Sequence, residues 1–350
     1  MKYSFFFCIL LVLNLVPDRS QSQYLTQFPK TDSLVALGIK QIHNLQLDSS
    51  LATFDRLIAY FPEHPIGYFY KAGVYDLFNQ DYRITTFEKQ FEKNVNLAIK
   101  KGEKYIKKNK NDELAYFYLG GAYGFRGIHR VYKRDWLHVF IDGIKGLKNL
   151  NKSLKKRPDF YDAYFGLGLY HYWRSALTKK FRFLPFISDQ RQRGINELKL
   201  AIEKGRYAGV EARISLSSVY YNETKYDSAL IVNNWLHSHF PNDPSILYFR
   251  TRIFERQQNW RSMLATAKHL LEILMDYQYK SYGYLVECHY LQALPLYHLG
   301  EKEKSLVHLE TAIRLEKLRN KKKELEGPNE DFKVIFKNVK KLRKKIQKGK

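Results

Sequence analysis

The residues best placed to do acid–base chemistry lie between 159 and 174. Asp159, Asp162, His171 and Arg174 offer carboxylates, an imidazole and a guanidinium in one short stretch. Such a set could shuttle a proton or steady an oxyanion. Asp162, however, stands where a helix is expected to start, and His171 occupies a place where a repeated phrase elsewhere carries Tyr, so both read as structural. His237 and His239 flank Ser238 and could hold a metal. They precede Pro241, and a turn between repeats is the simpler reading. The glycine-rich stretch 120–127 (GGAYGFRG) follows helical residues rather than a strand and lacks the GxGxxG spacing, so it predicts close helix packing instead of phosphate binding. No HExxH, CxxC, GxSxG or Walker-type glycine loop occurs. These patterns predict no enzyme, no cofactor and no metal. The chemistry that remains is recognition: 27 Tyr and 23 Phe, with 59 Lys+Arg against 35 Asp+Glu, a formal net charge of +24.

The elements that position these aromatics announce themselves by repetition. YFYLGGAY at 116–123 is restated as YFGLGLYHY at 164–172. Taking the second residue of the Leu-Gly pair as a marker, the series runs Gly38, Ala72, Gly120, Gly168, Ser217, Thr251 and Ala293. Every member is small, as close helix approach requires. Phe54 and Pro62 follow Gly38 at the same offsets, 16 and 24, at which Leu309 follows Ala293 and Pro241 follows Ser217. Short, long and intermediate spacings alternate: 34, then 48, 48 and 49, then 34 and 42. The long units carry about four extra helical turns. That surplus is expected between the marker helix and its partner: an extended partner helix over 86–108, bridging residues 127–135 before a helix over 136–156, and a stretch 175–190 interrupted by Pro185.

This register resembles the tetratricopeptide repeat (TPR), a 34-residue helix–turn–helix unit. Seven diverged units span roughly 31–320. The resemblance implies an all-α, right-handed α-solenoid of about seven TPR-like units, the central ones with elongated helices or insertions. Within 113–236, GAYGFRGIHR, DGIKGLKNLNKSL, YDAYFGLGLYHYW and GINELKLAIEKGRYAGVEA also resemble the TPR-type proteins of the inclusion-body-clearance family and their tetratricopeptide-39-like bacterial relatives. That narrower resemblance implies association with membranes and no catalytic residue.

Carried onto this chain, the TPR register turns one face of each first helix inward. It implies a partner-binding groove containing Phe117, Phe165, Tyr172, Trp173, Tyr221, Tyr248, Arg252, Arg256, Tyr290 and Tyr297. An aromatic floor with a basic end suits an extended protein or peptide segment with apolar and acidic residues. The alternative is that the same rings pack between units. Repeats that clamp a carboxylate terminus place Lys and Asn where this chain has aromatics, which speaks against that activity here.

Three domains are expected: a signal peptide at 1–22, a TPR-like solenoid at 23–326, and a basic amphipathic helix at 327–350. The first rests on Lys2, an apolar run over 3–16 and a small-residue cleavage site ending at Ser22. It predicts export to a bacterial periplasm or cell envelope, with secretion as the alternative. Its removal would leave Cys288 as the one cysteine, a small buried hydrophobe without a disulfide partner. The C-terminal helix, with Lys340, Lys341, Arg343, Lys344 and Lys345, could cap the last repeat, touch an anionic membrane surface, or bind nucleic acid, which export disfavours. The segments 100–110 and 145–157 and the loop 179–186 add further positive charge.

Overall fold

The computed structural model describes residues 29–133, 135–177 and 188–349. The expected signal peptide and the loop at 179–186 lie outside these residues. Among the described residues fifteen helices follow one another: α1 (Pro29–His43), α2 (Leu47–Tyr60), α3 (Ile66–Tyr82), α4 (Glu88–Lys108), α5 (Glu113–Tyr132), α6 (Trp136–Lys156), α7 (Ala163–Leu177) and α8 (Arg191–Lys204). Then come α9 (Gly209–Asn222), α10 (Tyr226–His239), α11 (Pro244–Arg256), α12 (Trp260–Asp276), α13 (Tyr282–His298), α14 (Lys302–Glu316) and α15 (Phe332–Lys348). Among the described residues the only β pairing is a single bridge between Ile84 and Glu324.

The helices pack as consecutive pairs, α1 with α2 through α13 with α14, and the odd-numbered member of each pair carries the marker. Every marker is buried, and its small size has a visible cause. A Cβ on Gly38 would overlap the ring of Phe54, and one on Gly168 would lie 2.9 Å from the carbonyl oxygen of Gly194. Gly120 lies against Leu150 and the carbonyl of Gly146, so the GGAYGFRG stretch is a helix-packing surface. Ser217 Oγ donates across its pair to the carbonyl of Ala229.

The two spacings have a structural origin. In α1, α9, α11 and α13 the helix ends five residues past the marker, at His43, Asn222, Arg256 and His298. Two residues later stands one with positive φ: Leu45 (59°), Thr224 (58°), Gln258 (55°) and Gly300 (86°). This left-handed residue ends the helix and turns the chain back into its partner. Only the last is Gly, so the other three bear the cost of a Cβ in that region. In the long units the marker helix instead runs on, to Tyr82, Tyr132 and Leu177. The surplus is thus shared between both helices in the α3–α4 and α5–α6 pairs, whereas α7 and α8 are of ordinary length and the surplus falls between them. Residues 127–132, expected to bridge, are the last turns of α5, while the partner α6 spans 136–156 as predicted.

The stack also closes on itself. α11 packs on α3, and Tyr82 of α3 stacks on Tyr277 beyond α12 while Phe78 lies tilted against the same ring. Ser245 Oγ donates to Asp81 Oδ1 over 2.5 Å, and His43 at the end of α1 lies 3.3 Å from Glu211 and 4.0 Å from Asp243. One hydrophobic cluster consequently runs from Leu34 to Leu291. α15 lays Ile335, Val339, Leu342 and Ile346 against α13 and α14, covering the apolar end of the last pair.

Candidate partner-binding face

Of the ten residues expected to line the groove, five are buried: Phe117, Tyr172, Tyr248, Arg252 and Tyr290. Phe117 meets Phe160 edge-on at 4.8 Å and Tyr118 at 4.9 Å. Tyr248 meets Tyr284 edge-on, and its hydroxyl donates to Glu287 Oε1 over 3.0 Å. These rings pack between units, the alternative that the sequence left open. The covers differ: closure brings Arg83 at the end of α3 over the Tyr248 ring, whereas Phe117 is covered by Phe160 just before α7, Tyr172 by the end of α9, and Tyr290 by residues of α14 and α15.

Closure buries charge as well as rings. Arg83, the left-handed residue that ends α3 (φ 51°), points its guanidinium at Glu287 Oε2 over 2.5 Å. Its Cζ lies 3.7 Å from the ring centroid of Tyr284 and 4.5 Å from that of Tyr248. Burial works against the charged form, but Glu287 and the two rings outweigh it and hold Arg83 firmly protonated. Arg252, the basic end of the expected groove, pairs with Glu255 and Glu330, each at 3.0 Å. Glu330 belongs to the connector between α14 and α15, whose second half, 324–331, carries four acidic residues and no basic one. The same connector pairs with the α3–α4 turn, Thr85 N donating to Lys323 O and Leu325 N to Arg83 O. Its Glu324 accepts from the backbone N–H groups of Tyr282 and Gly283 at the start of α13, where a helix N-terminus favours a carboxylate. An acidic segment does meet Arg252, and that segment is the chain's own. Arg83 gave no signal in the sequence, because it lies outside the repeat register and gains its partner from a residue 204 positions away.

The other five residues keep access to solvent. Phe165, Trp173, Tyr221 and Tyr297 are half-buried, and Arg256 is exposed. Trp173, Tyr221 and Arg256 sit at the C-terminal ends of α7, α9 and α11 and are linked along one rim. Trp173 packs edge-on against Tyr172, whose hydroxyl receives Asn222 Nδ2 at 2.6 Å and donates to Glu223 at 2.9 Å. Next along, Arg256 Nε donates to the Tyr221 hydroxyl at 3.0 Å. Tyr297 is set apart, beneath Lys345 of α15 at 4.8 Å. On α15 itself Lys340, Lys341, Lys344 and Lys345 are exposed and Arg343 pairs with Glu310 at 2.5 Å, while the apolar side is spent on α13 and α14.

The residues with catalytic potential are dispersed into structural roles. Asp162 accepts from the N–H groups of Tyr207 and Ala208, both at 2.8 Å, so it ties the start of α7 to that of α9. Burial pushes its carboxyl up to about 6. His171 pairs with buried Glu197 at 2.5 Å. His239 stacks on Trp235, whereas His237 lines a cavity of about 320 Å³ with Arg250, Phe254, Thr266 and His269, so the two imidazoles serve different neighbours in the last turn of α10. Glu88, Glu92 and His129 converge, but Lys133 Nζ already sits 2.8 and 2.5 Å from the two carboxylates. Cys288 is fully buried, and burial pushes its thiol up.

Seven marker-bearing helix pairs, each closed through a small residue, decide the architecture. The chain has a tetratricopeptide-type helical-repeat fold. Solved structures similar to it include a thermophilic TPR protein of Thermus thermophilus, at 19% identity and TM-score 0.42 over 65% of this chain and 99% of that one. A TPR protein of Parabacteroides merdae matches at 14% identity and TM-score 0.39 over 89% and 98%. PilW, a type IV pilus biogenesis factor, matches at 13% identity and TM-score 0.45 over 64% and 87%. At these levels the repeat assignment rests on the helix pairs themselves. No family model matches the chain, and no curated protein does. These matches leave the narrower resemblance of residues 113–236 where the sequence put it.

Proposed function

We propose that this TPR-type protein is a non-enzymatic scaffold that binds a protein or peptide partner along the rim formed by Trp173, Tyr221 and Arg256. The carrying observation is that these residues keep solvent access and follow one another along one ledge: Trp173 packs on Tyr172, Tyr172 is hydrogen-bonded to Asn222 beside Tyr221, and Tyr221 is hydrogen-bonded to the exposed Arg256. Aromatic surface beside a cation suits an extended segment with apolar and acidic side chains. The dispersal of the titratable residues into structural pairs supports a binding role over a catalytic one. Export to the cell envelope belongs to the same reading and rests on the N-terminal sequence; among the described residues no helix is long and apolar enough to cross a membrane. The lysines of α15 remain available for an electrostatic surface contact of the kind expected for an envelope protein.

Selection from a random peptide library tests the site. Enriched peptides carrying acidic and aromatic residues are expected. A Trp173→Ala/Arg256→Ala variant with unchanged circular dichroism should bind them at least ~10-fold more weakly, about 1.4 kcal/mol. Equal affinity for the folded variant, or no acidic enrichment, would reject the rim.

A further inference from the structure

α6 leaves a continuous apolar face in solvent. Trp136 (59% exposed), Leu137 (68%), Phe140 (66%), Ile141 (37%) and Ile144 (45%) stand at i, i+1, i+4, i+5 and i+8, one side of the first half of the helix. The opposite side is occupied: Asp142, Gly146, Asn149, Leu150 and Ser153 are buried, with Asp142 held by Arg126 at 2.8 Å and Arg130 at 2.5 Å. The second half of the helix exposes Lys145, Lys148, Lys152, Lys155 and Lys156. Its one acidic residue is the buried Asp142. Nearby half-buried acids are engaged, Asp135 with His138 at 2.8 Å and Glu92 with Lys133 at 2.5 Å. One helix thus offers an apolar stretch followed by a purely cationic one.

A contiguous patch of large apolar side chains is uncommon on a soluble surface and marks a contact site. We propose that this face of α6 docks on an anionic lipid bilayer. The five apolar side chains enter the boundary between headgroups and acyl chains, and the lysines beyond Ile144 meet the lipid phosphates. The apolar stretch covers about 13 Å of helix at 1.5 Å per residue, long enough to be buried in an interfacial layer and too short to span one. Each lysine near an anionic surface strengthens that attraction. Charge selects lipid over a second copy of this chain: two such faces brought together would set lysines against lysines or over the partner's apolar half, whereas an anionic headgroup layer satisfies both halves at once. α15 has no comparable face, because Ile335, Val339, Leu342 and Ile346 are buried in the fold and Val334 is its one exposed large apolar side chain. α6 contributes no residue to the rim, so this proposal and the peptide-binding reading fail independently.

Co-sedimentation of the full chain with vesicles tests the proposal, one set of phosphatidylcholine mixed with phosphatidylglycerol and the other of phosphatidylcholine alone. Comparing variants within the full chain holds the apolar N-terminal stretch constant. The unaltered protein should bind the anionic vesicles, with a blue shift of tryptophan fluorescence. Leu137→Ser/Phe140→Ser should weaken that binding at least ~10-fold. Lys145→Gln/Lys148→Gln should weaken it at low salt, with unchanged thermal unfolding in both variants. Undiminished binding by the serine variant would overturn the proposal. So would equal binding of the unaltered protein to both vesicle types, or a dimer in solution that the serine variant abolishes while no vesicle binds.

Discussion

The inward faces of α3, α11 and α13 and the outward face of α6 invert the usual arrangement of a repeat array. Stacked repeats ordinarily leave the concave side open for a ligand and present a polar exterior. Here the inner side buries Tyr248, Arg252, Tyr290 and the Arg83–Glu287 pair, while α6 holds Trp136, Leu137 and Phe140 in solvent. The difference teaches that accessibility in a solenoid belongs to its curvature. Where early and late units meet, at Tyr248 and the Arg83–Glu287 pair, side chains suited to a partner become core. A helix seven residues longer than α2 and α10 then offers surface that no neighbour among the described residues covers.

The largest test of this contrast removes a buried partner. Glu287→Ala strands Arg83 in the interior and should cost about 3–5 kcal/mol, read as a lower denaturation midpoint. A loss below ~1 kcal/mol would mean that the interior is wetter than its burial implies. Next comes helix approach. Gly168→Ala sets a Cβ 2.9 Å from the Gly194 carbonyl, so the α7–α8 pair must part, at about 1–3 kcal/mol in the same measurement.

Closure should also depend on pH. Burial alone would lower the His43 pKa, but Asp243 and Glu211 more than offset it and push it up to about 10. A folded value above the unfolded one means that the stabilisation is complete below pH ~6.5 and is lost as pH rises through about 10. Tm should therefore fall by a few degrees between pH ~6 and pH ~9.5, and His43→Gln should flatten that profile. A parallel profile for the variant would remove His43 from the closure. The smallest effect belongs to the outer face: Phe140→Ser should leave stability within about 0.5 kcal/mol. A larger loss would show that the ring is packed in solution, which ends the contrast.

Much of the fold was legible because a repeat writes its own register. Gly38 and Phe54 could be paired by offset, and they touch. The turn at Gly300 was readable as Gly, whereas the equivalent turns at Leu45, Thr224 and Gln258 carry no residue that advertises positive φ. The end of α5 was misplaced for a related reason: Gly127 looks like a helix stop, yet it lies inside α5, where even a Cβ would make ordinary contact with Asp142 Cβ at 3.5 Å. The site was less legible than the fold. Register assigns Tyr248 and Trp173 to one face but carries no information on whether a distant unit covers one of them.

By itself the sequence determined the helix pairs, the small residues that let them approach, the absence of familiar catalytic motifs and the two unit lengths. All are local properties, set by residue volume and helical period within a few dozen positions. Only the tertiary structure decided which faces meet. The Arg83–Glu287 pair, the connector seated beside Arg252 and the uncovered α6 depend on the summed rotation of many units. Small changes in each unit's packing accumulate along the stack, and no single repeat records the total.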